Sequence, residues 1–275
     1  MGFLSRLQLL SCLLFIATPM LAMSEDFKPP ANYRLVWSDE FSADGLPDPA
    51  KWAYDTERNR EGWHNNELQY YSGPRKENAE IKKGILHIQA RKEALKEAPD
   101  WGRQQYTATR LITRGKADWT YGFFEVRAKM PCGKGTWPAI WTLGTKGQWP
   151  DDGELDIMEH MGHTPGQTSS AVHVKSGHAG QAVGGIVQIP DACSAFHRYQ
   201  MHWTPHEVVF GVDGKQHVRF PKMAGGKDIW PFDHPQYMIL NLAIGGDLGG
   251  PVDDSIFPVS FQVDYVRIYQ APSAK

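Results

Sequence analysis

The chain has little cysteine. Its 275 residues carry three, and one of them, Cys12, sits in an N-terminal stretch that reads as a leader. A disulfide-dense scaffold is therefore excluded. Helical periodicity is nearly missing as well: the best stretch, Arg91 to Glu97, is short and halted by Pro99. That excludes bundles and coiled coils. Beyond the first two dozen residues no apolar run approaches the length of a membrane span. Charge of one sign is also lacking, with 29 Lys+Arg against 31 Asp+Glu and no basic cluster interleaved with aromatics. Nucleic acid is thus not an expected partner. Neither repeats nor low-complexity tracts interrupt Ser24 to Gln270, and an apolar fraction of 41% is ample for one core.

What is present begins with the leader. Arg6, the apolar run Leu7 to Ala22 and the polar Ser24, Glu25 and Asp26 predict a secretory signal peptide over residues 1–22. Residues 23–275 are then one secreted domain, extracellular or periplasmic, without a membrane anchor and expected as a monomer. Two cysteines remain, Cys132 and Cys193, and they are either a single bridge or two buried thiols.

Strand signals dominate the rest. In Gly122 to Met130, Phe124, Val126, Ala128 and Met130 alternate with Phe123, Glu125, Arg127 and Lys129, the pattern of a half-buried strand. Similar runs occur at Tyr33 to Phe41, Ile85 to Arg91, Thr107 to Thr113, Ser169 to Lys175, Tyr199 to Trp203, Met238 to Ile244 and Phe261 to Tyr269. Asp213-Gly214, between two alternating segments, predicts a tight hairpin. Many short strands with 27 Gly and 19 Pro between them predict an all-β fold, a jelly-roll sandwich of two antiparallel sheets with one concave, groove-bearing face.

The most informative segment is Trp149 to Gly162. As a strand, it puts Glu154 and Asp156 on one face and Leu155 and Ile157 on the other. Strict alternation puts Glu159 on the wrong side, and a one-residue bulge at Ile157 or Met158 restores it. Three acids on one face repel, so folding alone gives no reason for them. An acidic edge strand is the bland alternative, but the apolar Leu155, Ile157 and Met158 make the segment look central. Two such glutamates with carboxyl groups about 5 to 5.5 Å apart have the spacing of a retaining glycosidase. A metal site is a second chemical reading, because His160 and His163 are close in sequence, although no HExxH motif is present. Trp137, Trp141 and Trp149 crowd these acids, and Trp63, Tyr70 and Tyr71 form a second aromatic group. Flat rings of this kind grip the CH faces of sugars. Trp137 and Trp149 are expected at the groove, with Trp141 as well placed for core packing.

These residues carry a resemblance. Glu154-Leu-Asp-Ile-Met-Glu159 resembles the E-x-D-x-x-E signature of glycoside hydrolase family sixteen, in its laminarinase-like branch. Trp37 to Phe41, Asn66 to Tyr71, Tyr121 to Pro131, Gly135 to Trp141, Asn241 to Gly246 and Val263 to Tyr269 resemble the same family in order. The resemblance implies a β-jelly roll that hydrolyses internal β-glycosidic bonds with retention and without a catalytic cofactor. Glu154 is then the nucleophile, Glu159 the general acid and base, and Asp156 the residue that tunes them. Substrate contacts are implied at Asn66, Arg110, Trp137, Trp141 and His173, beside the Trp149 already singled out. A structural calcium, Ca2+, is implied at Glu40, Gly84 and Asp264. The inserted Met158 points to β-1,3-glucan; mixed-linkage glucanase, agarase or carrageenase activity, or glucan binding without cleavage, are the alternatives.

Overall fold

The computed structural model describes residues 26–176 and 183–272; the predicted leader over residues 1–22 lies outside them. Alternation in the sequence becomes seventeen strands among the described residues. The first eight are β1 (Arg34–Asp39), β2 (Ala53–Tyr54), β3 (Gln69–Tyr71), β4 (Ala79–Lys82), β5 (Ile85–Lys92), β6 (Tyr106–Ala108), β7 (Arg110–Ile112) and β8 (Gly122–Lys129). Then come β9 (Thr136–Gly144), β10 (Glu154–Glu159), β11 (Gln167–His173), β12 (Val183–Gln188) and β13 (His197–Trp203). β14 (Glu207–Val212), β15 (Lys215–Pro221), β16 (Gln236–Ile244) and β17 (Val259–Gln270) complete the set. One four-residue helix, α1 (Gly246–Gly249), follows β16.

Two sheets share the strands. One runs β15-β14-β13-β8-β17-β5-β6-β3, with β1 on β17 and β4 on β5; the other runs β12-β11-β10-β9-β16-β7-β2. Every pairing is antiparallel except β3 with β6, and the expected jelly-roll sandwich is what the sequence builds. The Asp213-Gly214 hairpin is as read: both residues take positive φ, 50° and 82°, and Val212 pairs with Lys215.

The core lies between the sheets. Leu86, Ile88, Phe124, Val126 and Ala128 from one side meet Ile140, Leu155, Met158, Leu240 and Leu242 from the other, all fully buried. On β9 and β16 the alternate residues, Trp137, Ala139, Trp141 and Leu143 with Tyr237, Ile239, Asn241 and Ala243, face away from that core. This opposite face carries the site.

Arg91 to Glu97, too short a stretch for a helix, forms none: Arg91 and Lys92 finish β5, and pairing of Arg91 with Thr107 takes the main chain into the sheet. Two local expectations are corrected. The run Thr107 to Thr113 is two strands, because at the buried Thr109 the chain leaves one sheet (β6) for the other (β7). The outer face of β8 is covered as well, since Phe27 packs on Phe123 and Val209, and Glu125 is buried under hydrogen bonds from Gln200 and Tyr265. Cys132 and Cys193 are bridged, with Cα atoms 5.7 Å apart.

Candidate active site

The register of β10 creates the site. β10 lies between β9 and β11, so both of its edges are hydrogen-bonded. Asp156 pairs with Trp141, yet Met158 pairs with Ile140: one extra residue, Ile157, sits in a bulge. Two consecutive apolar side chains, Ile157 and Met158, thereby enter the core, and Glu159 returns to the face of Glu154 and Asp156. Across the sheet the acids begin transverse rows. Glu159 is followed by Ala139, Asn241 and Arg110, while Asp156 is followed by Trp141, Ile239 and Ile112, and Glu154 by Leu143 and Tyr237. Same-face neighbours in adjacent rows touch.

The result is a groove of about 990 Å³ lined by all three acids and by Arg110, Trp137, Trp141, Trp149 and His173. Trp149 Nε1 donates to Glu154 (2.6 Å) and Trp137 Nε1 to Glu159 (3.0 Å). His173 Nε2 lies 3.1 Å from an Asp156 oxygen. Trp141 Nε1 donates to Asn241 (2.7 Å), and its ring stacks under the Arg110 guanidinium at 4.7 Å, with Trp63 at 5.1 Å on that same cation. Asp55 pairs with Arg110 at 3.0 Å.

Crowding sets the electrostatics. Burial, then the neighbouring Asp156 charge, pushes the Glu154 carboxyl well above the usual carboxylate range. Asp156 is raised by burial and by Glu159. Glu159 rises to about 7, through burial first and the Glu154 charge second, against the hydrogen bond from Trp137. Three charges this close do not coexist at neutral pH, so the trio holds a proton. A carboxylic acid and a carboxylate side by side can donate and attack at once.

Several expected positions lie elsewhere. Asn66 does not line the groove; it takes positive φ, is exposed, and donates to Asp247 (2.7 Å), which does. Tyr71 is fully buried, and Tyr70 is buried with its hydroxyl on Asp100 (2.6 Å), so neither is a sugar platform, whereas Trp63 lines the groove. His160 is buried beside the disulfide, with its ring 3.3 Å from the Pro165 carbonyl, and His163 is not at the groove. The histidine near the acids is His173: Glu154, Asp156 and His173 have ligand atoms within 4.8 Å of one another. Glu67, Tyr237, Asn241 and Asp247 line or brace the groove and had not been singled out. Alternation along β16 marks Tyr237 and Asn241 as a pair on one face, but only the pairing with β9 says which face.

Glu40, Gly84 and Asp264 lie at adjoining positions of the strand register. β5 pairs with β17 up to Val263 and β1 pairs with it from Val266. Asp264 falls in the gap, at a bulge against β8. Glu40 follows the end of β1, and Gly84 turns into β5 with φ of 78°. The Glu40 carboxylate is paired with Arg267 (2.8 Å), and that of Asp264 with Arg127.

Residues 64–266 match the glycosyl hydrolases family 16. A β-glucanase of Rhodothermus marinus is 46% identical over 269 residues, covering 93% of this chain and 91% of that protein. The structure of the laminarinase from the same organism superposes with a TM-score of 0.81 at 47% identity, over 86% of this chain and 97% of that one. That of SCLam, a non-specific endo-β-1,3(4)-glucanase, gives 0.87 at 47% identity, over 90% and 94%. Sequence, sheet order and the acid-lined groove thus agree that this chain belongs to glycosyl hydrolase family 16 and is a glycoside hydrolase.

Proposed function

We propose that the protein is an endo-acting, retaining β-1,3-glucanase that cleaves laminarin-type glucan by double displacement. The carrying observation is the bulged β10, which sets Glu154 and Glu159 on one groove face with a protonated and an ionised form available together. Glu154 attacks the anomeric carbon while Glu159 gives its proton to the departing glycosidic oxygen, leaving a glycosyl ester on Glu154. Water then attacks the same carbon, Glu159 takes its proton, and the Glu154 ester bond breaks. Asp156, braced by His173, raises the neighbouring Glu154 and is raised in turn by burial and Glu159, so the three carboxyls share their protons.

The lining favours a neutral polymer. Three arginines face seven carboxylates, and Arg110 and Arg114 are each paired, with Asp55 and Glu57. A sulfated galactan would need unpaired cations. Mixed-linkage glucan is the nearer alternative, since the similar SCLam is a non-specific endo-β-1,3(4)-glucanase. Secretion is supported by the N-terminal apolar run and by the Cys132–Cys193 bridge, which belongs in an oxidising compartment. At Glu40, Gly84 and Asp264, main-chain carbonyls and the Asp264 carboxylate are the oxygens that would hold calcium. Chelation is then expected to lower the melting temperature, an effect absent in Asp264→Ala. An unchanged melting temperature in the parent counts against the ion.

The deciding test is Glu154→Gln. Reducing-sugar release from laminarin should disappear, while folding and glucan binding persist, because charge is lost and volume is not. Proton NMR of the first product from the parent enzyme should show the β-anomer; an initial α-anomer rules out retention. Running the parent on laminarin, mixed-linkage glucan, agarose and carrageenan fixes the substrate class.

A further inference from the structure

The groove holds a fourth carboxylate that the double displacement does not use. Glu67 precedes β3 and is held against the end of β16: it bridges to Gly245, and the Leu68 amide donates to the Ile244 carbonyl (2.9 Å). Its oxygens are treated unequally. Oε2 accepts from Gln69 Nε2 (2.7 Å) and from the Tyr71 hydroxyl (3.3 Å). Both donors are themselves fixed, Gln69 by accepting from the Ile244 amide (2.7 Å) and Tyr71 by accepting from Asn241 (3.0 Å). Oε1 makes no hydrogen bond among the described residues, and Glu67 lines the groove together with Arg110.

Glu67 is thus a half-buried carboxylate with one oxygen fixed by two donors and the other left open to the groove, where a ligand hydroxyl can replace water. The Arg110 charge acts on Glu67, and the guanidinium is clamped between Trp63 and Trp141. An acceptor beside a cationic donor complements two neighbouring hydroxyls of a pyranose ring, with aromatic faces alongside for its CH groups.

We propose that Glu67 is a substrate-binding residue of the groove, whose Oε1 accepts a hydroxyl hydrogen bond from a neutral glucosyl unit while Oε2 is held by Gln69 and Tyr71. This rests on the glucanase reading. It adds a sugar contact that acts on binding and takes no part in bond cleavage.

The geometry supplies a clean variant. In Glu67→Gln the amide oxygen must take the place of Oε2, because Gln69 and Tyr71 both donate there. The amide NH2 then occupies the Oε1 position, so the brace is satisfied and the groove-facing acceptor becomes a donor. Kinetics on laminarin should show KM raised about tenfold, the loss of a charge-assisted hydrogen bond. The kcat should stay within about threefold, since binding is lost equally from ground and transition states. The melting temperature should be unchanged. Glu67→Asp, which keeps the charge and withdraws it by one methylene, should also raise KM and provides the measurement if the Gln variant does not fold. A parental KM in either folded variant overturns the proposal and leaves the glucanase reading intact. If the parent hydrolyses no β-glucan, both fall.

Discussion

Glu159 concentrates the chemistry of the whole groove into one proton. Its carboxyl is raised from 4.5 to about 7 by burial and by Glu154, and the Trp137 indole acts the other way by donating to the ionised form. The general acid must carry its proton in the first step, so kcat/KM should fall on the alkaline side with an apparent pKa of about 7. Trp137→Phe removes the donor and should move that limb to higher pH. A limb unmoved in the variant places the titration on another group. The same shift has a stability consequence of definite sign. Because the folded state holds this proton more tightly than the unfolded chain, the contribution is complete below pH 4.5 and is lost as pH rises through about 7. Glu159→Gln, which has no proton to lose, should gain melting temperature over the parent between pH 5 and pH 8.

At the scale of the element, β10 serves two masters through one bulge. Its outer side presents Glu154, Asp156 and Glu159, and its inner side buries Leu155, Ile157 and Met158. The two sides should separate cleanly by mutation. Leu155→Ala leaves a void between the sheets and is expected to cost about 2 to 5 kcal/mol in urea unfolding. Trp149, 52% exposed at the groove and bonded to Glu154, should cost under about 1 kcal/mol as Trp149→Ala while catalytic efficiency drops. The reverse pattern, a large stability loss with parental kinetics, would make Trp149 a packing residue. Trp137 is nearly buried and belongs to both roles, since it lines the groove and holds Glu159.

The whole molecule is two sheets joined by their core, by a chain that passes repeatedly between them, and by the Cys132–Cys193 bridge. Cys132 precedes β9 of the groove sheet, and Cys193 precedes β13 of the other, with the Met130 amide bonded to the Ala192 carbonyl (3.0 Å) alongside. The bridge closes a loop of 61 residues, so reduction should lower the unfolding free energy by about 2 to 4 kcal/mol. Hydrolysis at 25 °C should survive it, because the acids are positioned by β9, β10 and β11 within one sheet. Urea curves with and without a dithiol, followed by assay, check both statements.

The strands, the sandwich and the acidic triad were legible in the sequence, because a period of two and a hairpin pair such as Asp213-Gly214 are local physics, and three acids on one strand conflict with folding. The sequence also required a bulge near Ile157, since only an extra residue returns Glu159 to the face of Glu154. The rest depends on contacts between distant parts of the chain. Whether Trp63, Tyr71 and Trp141 line a groove or fill a core depends on which sheet face each strand turns outward, and that is fixed by partners far away in the chain. The switch between sheets at Thr109 looks from the sequence like an uninterrupted strand, yet it is what delivers Arg110 to the groove. Asn66 and Glu67 are neighbours in one loop, and only the positive φ values at Asn65 and Asn66 turn the first toward Asp247 while the second is seated beside Gly245. Local patterning chose the elements; long-range register chose the site.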